Sequence, residues 1–297
     1  MTTTKSKRNR LDVYKTFKLY IGGAFPRTES GRYLREETPE GDFVANICHA
    51  SRKDFRDAME VARKAQSGWA SRTPFNRSQI FHRMAEMMES RRGGLEQALV
   101  ERAGYDEASA QEELDCAIDR LLWYGGWADK FVQVFGSTNP VASAHFNFTM
   151  PEPTGVVTCL APKSAPILGL VTAMAPIIVS GNTAVIVVDH DSRSIAMDLA
   201  EVLHCSDLPG GVVNILTGFR DELRDHIAGH RDLDGIAIFD GGVEERREIE
   251  TTGAESVKRV HSYEAPEGEG WRSDDAQSPY WIMPFVEFKT AWHPMGY

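Results

Sequence analysis

No run of this sequence approaches the roughly 20 apolar residues that crossing a bilayer requires. The longest apolar-rich stretch, Ile167 to Val179, is too short and is interrupted by Pro176, so no membrane anchor is expected. Positive charge is in deficit: 33 Lys and Arg against 43 Asp and Glu leave a net charge of −10. That balance argues against a nucleic-acid partner, because phosphate binding needs clustered Lys and Arg. The one basic patch, Lys5, Lys7, Arg8 and Arg10, has no apolar or amphipathic segment behind it and reads as a flexible tail over residues 1–16. Cysteine is scarce. Cys48, Cys116, Cys159 and Cys205 lie far apart with no CxxC pair, and no signal peptide is read. That pattern predicts reduced thiols in a cytoplasm rather than a disulfide framework or a zinc site.

What is present is an ordinary globular composition, 42% hydrophobic and 26% charged, over a chain long enough to bury a large core. Residues 18–37 read as short strands broken by a turn from Pro26 to Gly31. Ser51 followed by Asp54 forms a capping box. Phe55, Ala58, Met59, Ala62 and Ala65 then recur at helical spacing. Trp69 and Pro74 close that helix. A second is predicted from near Asn76, with Ile80, Phe81, Met84 and Met88 on one face, and a third from about Glu107, with Leu114, Ile118, Leu121 and Tyr124 as its stripe. These stripes are read as core, with no cofactor implied.

After residue 142 the pattern changes. His145 to Met150 alternates as a strand, and Gly155 to Leu160 opens a series of short apolar runs continued at 184–188, 212–216, 236–239 and 258–261. Helical segments are predicted between them at about 167–180, 193–204, 220–229 and 243–252. Alternating apolar strands and helices indicate an α/β fold, a doubly wound, Rossmann-like parallel sheet covered on both faces. Beyond Tyr263, residues 264–279 carry five acidic residues and read as a mobile linker. Residues 280–297 turn strand-like again, and so apolar a terminal strand needs a sheet to join.

Several of these segments resemble the aldehyde dehydrogenase superfamily. The opening KLYIGGAFPRTESGR is similar to its N-terminal hairpin, and especially to class 16 members. Tyr124 to Lys130, Glu152 to Val157, Pro176 to Thr183 and Leu208 to Ile215 resemble further blocks in the same order, and Phe288 to Trp292 resembles the C-terminal oligomerisation strand. The resemblance covers about 17–262 and 283–294. It implies an N-terminal hairpin and helical layer over 17–142, an oligomerisation strand at 143–153, a coenzyme-binding core at 154–263, and a second oligomerisation strand at 280–297. The catalytic domain, with its cysteine nucleophile, is expected to be absent, the linker at 264–279 standing in its place.

The resemblance also implies where a site would lie. Ser164 takes the position of the family's oxyanion-stabilising Asn, within Pro162-Lys163-Ser164-Ala165-Pro166. Val187 takes that of a ribose-binding Lys, and His190 that of the following Glu. Phe239, Asp240, Gly241 and Gly242 replace the pyrophosphate-binding block, and Gly218 completes the coenzyme set. Tyr263, or Glu264 after a one-residue shift, falls at the general-base position. Ser164, Tyr263 and Glu264 are therefore read as degenerate catalytic positions. Asp240 is expected to cap the following helix and repel a pyrophosphate, so that no cofactor is expected and only a degenerate NAD(P) site remains.

Other constellations read blandly. His204 and Cys205 are adjacent on a helix and do not face each other. Asp189-His190-Asp191 lacks the second cluster a metal site needs. Lys163 is read as an exposed loop cation, and Cys159 as an inert core thiol. The expectation is thus a non-catalytic structural or regulatory subunit. Its partner would be a full-length aldehyde dehydrogenase joined through strands 144–151 and 283–292, or a second copy in a homo-oligomer. The alternative is an NAD-dependent oxidoreductase acting on aldehydes, its active site completed by a partner chain.

Overall fold

Ser51 begins the first helix as its capping box predicts. Its hydroxyl accepts from Asp54 N at 3.3 Å, while the Asp54 carboxylate accepts from Ser51 N at 2.7 Å. That carboxylate also accepts from the Thr28 hydroxyl at 2.7 Å, so one residue caps the helix and ties down the N-terminal segment. The computed structural model describes residues 13–266 and 268–296; the basic patch at Lys5 to Arg10 lies outside them.

The chain begins with a small sheet of β1 (Thr16–Phe17), β2 (Tyr33–Glu37) and β3 (Phe43–Cys48). The KLYIGG segment is not a strand of it. Tyr20 instead bridges to Ile215 in both directions, at 3.0 and 2.7 Å. A helical layer follows: α1 (Arg52–Ala70), α2 (Pro74–Ser90), α3 (Arg92–Ala103), α4 (Glu107–Trp127) and α5 (Lys130–Phe135). Two of these, α3 and α5, carry no distinct stripe in the sequence.

The central unit is a parallel sheet of five strands. Its elements are β6 (Val156–Leu160), α6 (Leu168–Val179), β7 (Thr183–Val188), α7 (Arg193–His204), β8 (Val213–Thr217), α8 (Arg220–Gly229), β9 (Gly235–Phe239), α9 (Val243–Gly253) and β10 (Arg259–Tyr263). The strand order is β10-β9-β6-β7-β8. Four of these strands, β6 to β9, are buried along their whole length, which explains their continuous apolar runs. Alternate residues feed two cores. Val157, Cys159, Ile186 and Ala237 pack with α6, α7 and the helical layer. Val156, Leu160, Val187 and Ile238 pack with α1, α8 and α9.

A separate three-stranded sheet has the order β11-β5-β4, built from β4 (Ser137–Asn139), β5 (His145–Pro153) and β11 (Val286–Pro294). β5 and β11 are antiparallel, in register from Val286 opposite Pro153 to Pro294 opposite His145. Both strands of the expected arm therefore pair with each other, and Phe288 and Trp292 stay exposed at 45% and 58%.

The segment expected to be a mobile linker is folded. Residues 268–285 form consecutive short 3-10 turns, with Trp271 and Ala276 of the expected linker buried, and Ile282 and Phe285 buried in the segment expected to be a strand. The Phe285 carbonyl accepts from Asn182 Nδ2 at 2.7 Å and from Thr154 N at 3.2 Å. Two apolar anchors within the linker and two just beyond it dock this stretch despite the linker's acidic composition.

Candidate active site and coenzyme crevice

The sheet reverses its winding at β6: β7 and β8 continue on one side, β9 and β10 on the other. In doubly wound sheets such a reversal opens a crevice at the carboxyl ends of the strands. Here it lies between the loop after β6, residues 161–166, and the loop after β9, residues 240–242.

Asp240 links the two loops. Its carboxylate accepts from Lys163 N at 2.7 Å, and its backbone sits in the left-handed region at φ 54°. The expected capping is corrected: the N-cap of α9 is Gly242, with no side-chain cap, and a Cβ placed on Gly242 would meet nothing within 4 Å. The first N–H groups of α9 therefore have no side-chain acceptor, the state in which a helix N-terminus can receive phosphate. Glu245, in that first turn, is held by Arg220. The buried guanidinium donates to Glu245 Oε2 at 2.7 Å and to the Phe239 and Asp240 carbonyls at 2.8 Å each.

Ser164 is exposed in the loop after β6, next to Ala165 at φ 52°. Trp271 Nε1 donates to Ser164 Oγ at 2.9 Å. An indole can only donate, so the serine's own O–H remains free for another acceptor. Trp271 is 2% exposed. Its carbonyl accepts from Arg120 Nη2 at 2.8 Å, and Arg120 also donates to the Thr172 hydroxyl on α6. Glu113, on the same face of α4, accepts from Ile167 N at 2.9 Å and Leu168 N at 3.2 Å, satisfying the start of α6. Burial raises its pKa, partly offset by those bonds.

The remaining expected positions divide. His190 lies at the end of β7, 7% exposed, and its Nε2 has no partner. Burial, then Arg193, lowers its pKa to about 4, so the ring is neutral at pH 7. A cavity of 630 Å³ brings His190 together with Ser164 and Lys163. Val187 is wholly buried in the core against α1, α8 and α9. Gly218 is buried, and a Cβ there would come within 3.0 Å of His49. Pro162 is buried in the loop after β6. Phe239 stacks on Tyr263 with ring centroids 4.6 Å apart, and Trp281 packs on Tyr263 at 4.8 Å. Tyr263 is partly buried and packs against the core, and this burial pushes its pKa well up, so the phenol stays protonated. Glu264 is exposed and does not line that cavity.

Asp189 is engaged by Arg193 Nη2 at 2.9 Å and by Arg220 N at 3.1 Å. Among the described residues no group of three His, Cys, Asp or Glu is placed to hold a metal ion. None of the thiols lines the cavity beside Ser164; Cys48 and Cys159 are buried and Cys205 is exposed, and burial raises the Cys159 pKa.

Sequence reasoning missed Trp271, Arg120, Glu113 and Arg220. A signal existed for two of them, since Glu113 and Arg120 are polar interruptions seven residues apart within the apolar stripe of α4. Trp271 stood alone in an acidic stretch, where composition outweighed it.

Residues 27–263 match the model of the aldehyde dehydrogenase family. Retinal dehydrogenase 2 of Gallus gallus is 32% identical over 254 residues, 83% of this chain and 48% of the relative. The D-glyceraldehyde dehydrogenase (NADP(+)) of Thermoplasma acidophilum is 28% identical over 245 residues, 82% and 49% respectively. The NAD+ complex of aldehyde dehydrogenase from Bacillus cereus superposes with a TM-score of 0.78 at 26% identity, covering 84% of this chain and 50% of that one. The chain spans about half the length of the relatives it matches.

These findings overturn the expectation of a truncated, non-catalytic relative. The Rossmann sheet and the oligomerisation-type sheet correspond to those of aldehyde dehydrogenases, one of them solved with its coenzyme. The fold described by an absent catalytic domain and the role of pseudoenzyme subunit are corrected with it. One physical reason is that the expected linker is anchored by the buried Trp271 and Ala276 instead of hanging as a loose join. The expectation of no cofactor is corrected as well. An NAD+-bound relative shares this fold, and Asp240 is turned to Lys163 instead of blocking α9. The chain belongs to the aldehyde dehydrogenase family.

Proposed function

We propose that this protein is an NAD(P)-dependent oxidoreductase acting on aldehydes, with its active site completed by a partner chain. The uncapped N-terminus of α9 at the switch-point crevice carries the reading, because free N–H groups and open space at Gly242 suit a pyrophosphate. Bound NAD(P)+ supplies the hydride acceptor. Gly241, Gly242 and the first turn of α9 would hold its phosphates, with Arg220 offsetting the charge of the Glu245 carboxylate that lies beside Gly241.

Ser164 is the residue of this chain that meets the aldehyde. Its free O–H donates to the carbonyl oxygen, where negative charge develops as the carbon is attacked. Trp271 holds the hydroxyl oxygen from behind, so donation needs little reorganisation. No thiol lines the cavity at Ser164, and the nucleophile comes from the partner chain. That partner is an aldehyde dehydrogenase subunit or a second copy, joined through strands 144–151 and 283–292 by addition to the exposed edge of β11. A cytoplasmic location fits the reduced thiols; among the described residues no helix is long and apolar enough to cross a membrane.

Calorimetry with NAD+ and NADP+ on the full chain tests the reading first. Binding of either coenzyme is expected, weakened by Gly242→Asp, which caps α9 and brings a carboxylate to it. Aldehyde-dependent NAD(P)H formation by the sheet-paired assembly, lowered about 10²–10³-fold by Ser164→Ala, tests the catalytic part. The absence of any coenzyme binding would refute the proposal.

A further inference from the structure

The end of β7 carries the coenzyme position assigned to His190, but that imidazole is enclosed. Its Nε2 is buried and offers a ligand nothing. The next residue, Asp191, is exposed and lines the 630 Å³ cavity. Which coenzyme this wall accepts therefore turns on Asp191 and on the charges around it.

Most of those charges are already engaged. Asp189 accepts from Arg193 Nη2 at 2.9 Å and from Arg220 N at 3.1 Å. Arg102 Nη1 lies 2.6 Å from Asp198, and Arg35 Nε lies 2.6 Å from Glu37. Glu36, 4% exposed, accepts from Ser194 N at 2.8 Å and from the Ser194 hydroxyl. Two exposed charges on the lining, Lys163 and Asp191, have no ion pair among the described residues. They stand on different loops. Lys163 follows β6, and its backbone N–H donates to Asp240, two residues before the N-cap of α9. It therefore belongs to the phosphate end of the crevice. Asp191 lies between the end of β7 and the first residue of α7.

The two charges answer different parts of a dinucleotide. A pyrophosphate is attracted by an ammonium and by the first N–H groups of a helix. A ribose diol donates to a carboxylate, which has only acceptors to offer. A phosphate ester on that ribose would instead bring about two negative charges to the same carboxylate. In dinucleotide-binding folds an acid at the ribose suits NAD+, whereas an arginine receives the 2′-phosphate of NADP+. Here the arginines of the wall are held by Asp189, Asp198 and Glu37, and the group left at the end of β7 is an acid.

We infer that Asp191 discriminates between the two coenzymes and makes this chain selective for NAD+ over NADP+, while Lys163 serves the pyrophosphate common to both. The inference rests on the coenzyme reading above and names which coenzyme it is.

The test is calorimetry with NAD+ and NADP+ on the full chain and on two variants of it. NAD+ should bind at least about tenfold more tightly than NADP+, the scale on which a like charge suppresses a wrong ligand. Asp191→Asn should tighten NADP+ and shrink that ratio severalfold, because the carboxamide keeps an acceptor for the diol and loses the charge. Lys163→Met should weaken both coenzymes by a similar factor and leave the ratio in place. NADP+ binding as tightly as NAD+, or a ratio unmoved by Asp191→Asn, overturns the inference and leaves the oxidoreductase reading standing. A ratio shifted as far by Lys163→Met as by Asp191→Asn overturns the division of roles between the two charges. If neither coenzyme binds, the oxidoreductase reading falls and the inference falls with it.

Discussion

Replacing Arg220 with Met should be among the most damaging single changes near the crevice. The Arg220 and Glu245 side chains are 7% and 11% exposed and 2.7 Å apart, so neither is compensated by solvent. Removing the guanidinium strands the Glu245 carboxylate, whose Oε1 already lacks a partner, and frees the Phe239 and Asp240 carbonyls. Breaking a buried pair from one side costs about 3–5 kcal/mol. With a urea m-value of about 2–3 kcal/mol/M, the unfolding midpoint should fall by roughly 1–2 M at pH 8. Burial already raises the Glu245 pKa, with Arg220 opposing it, and Arg220→Met should raise it further. A carboxyl whose folded pKa exceeds its unfolded one favours the folded state below the unfolded pKa and loses that contribution as pH rises through the folded value. The deficit of Arg220→Met should therefore shrink on going from pH 8 to pH 5. The double variant Arg220→Met with Glu245→Met removes the stranded charge and should unfold later than Arg220→Met alone. Equal midpoints for the single and double variants, or a single-variant loss below about 1 kcal/mol, would refute this account of the pair.

Other outcomes follow from the same geometry. Trp271→Phe removes the 2.9 Å bond to Ser164 while keeping an aromatic anchor; it should lower kcat of the assembly more than KM, and equal effects on both would show the bond to be structural only. His190 is held neutral with a folded pKa near 4 against 6.5 in the open chain. A depressed imidazole loses stability as pH falls from 6.5 toward 4, by about 3 kcal/mol, so His190→Gln should flatten the acid limb of the urea midpoint against pH. Phe288→Lys with Trp292→Lys places charge on the exposed strand β11; sedimentation equilibrium should show weaker association with circular dichroism unchanged, and undiminished association would remove the arm from the interface.

The parallel sheet was legible because its strands are buried on both faces and its helices are bounded by clear breaks. Segments predicted at 193–204 and 220–229 coincide with α7 and α8. α3 escaped because Arg92, Gly93 and Gly94 open it without a cap and its buried residues are only Leu95, Ala98 and Leu99. KLYIGG has a strand's composition but meets the sheet at a single bridge, through Tyr20. The candidate site was legible as positions along the chain and not as contacts. Asp240 looked like a helix cap, since an acid before a helix usually is one. What redirected it was Lys163 N, seventy-seven residues away in sequence, which no local pattern announces.

The same holds for Ser164. Judged as a residue type, serine is a shorter donor than a carboxamide and reads as a loss. Its surroundings change that judgement. Thr172 and Arg120 fix the Trp271 carbonyl, and the Trp271 indole occupies a lone pair of Ser164 Oγ rather than its proton. A hydroxyl held this way has one fewer competing orientation, so less rotamer freedom is lost when it donates to an oxyanion. The segment that supplies the indole is the acidic stretch at 264–279, whose composition concealed it. A side chain's usefulness at a site is thus set partly by which partner takes its lone pairs, and here that partner comes from the part of the sequence whose composition least suggested order.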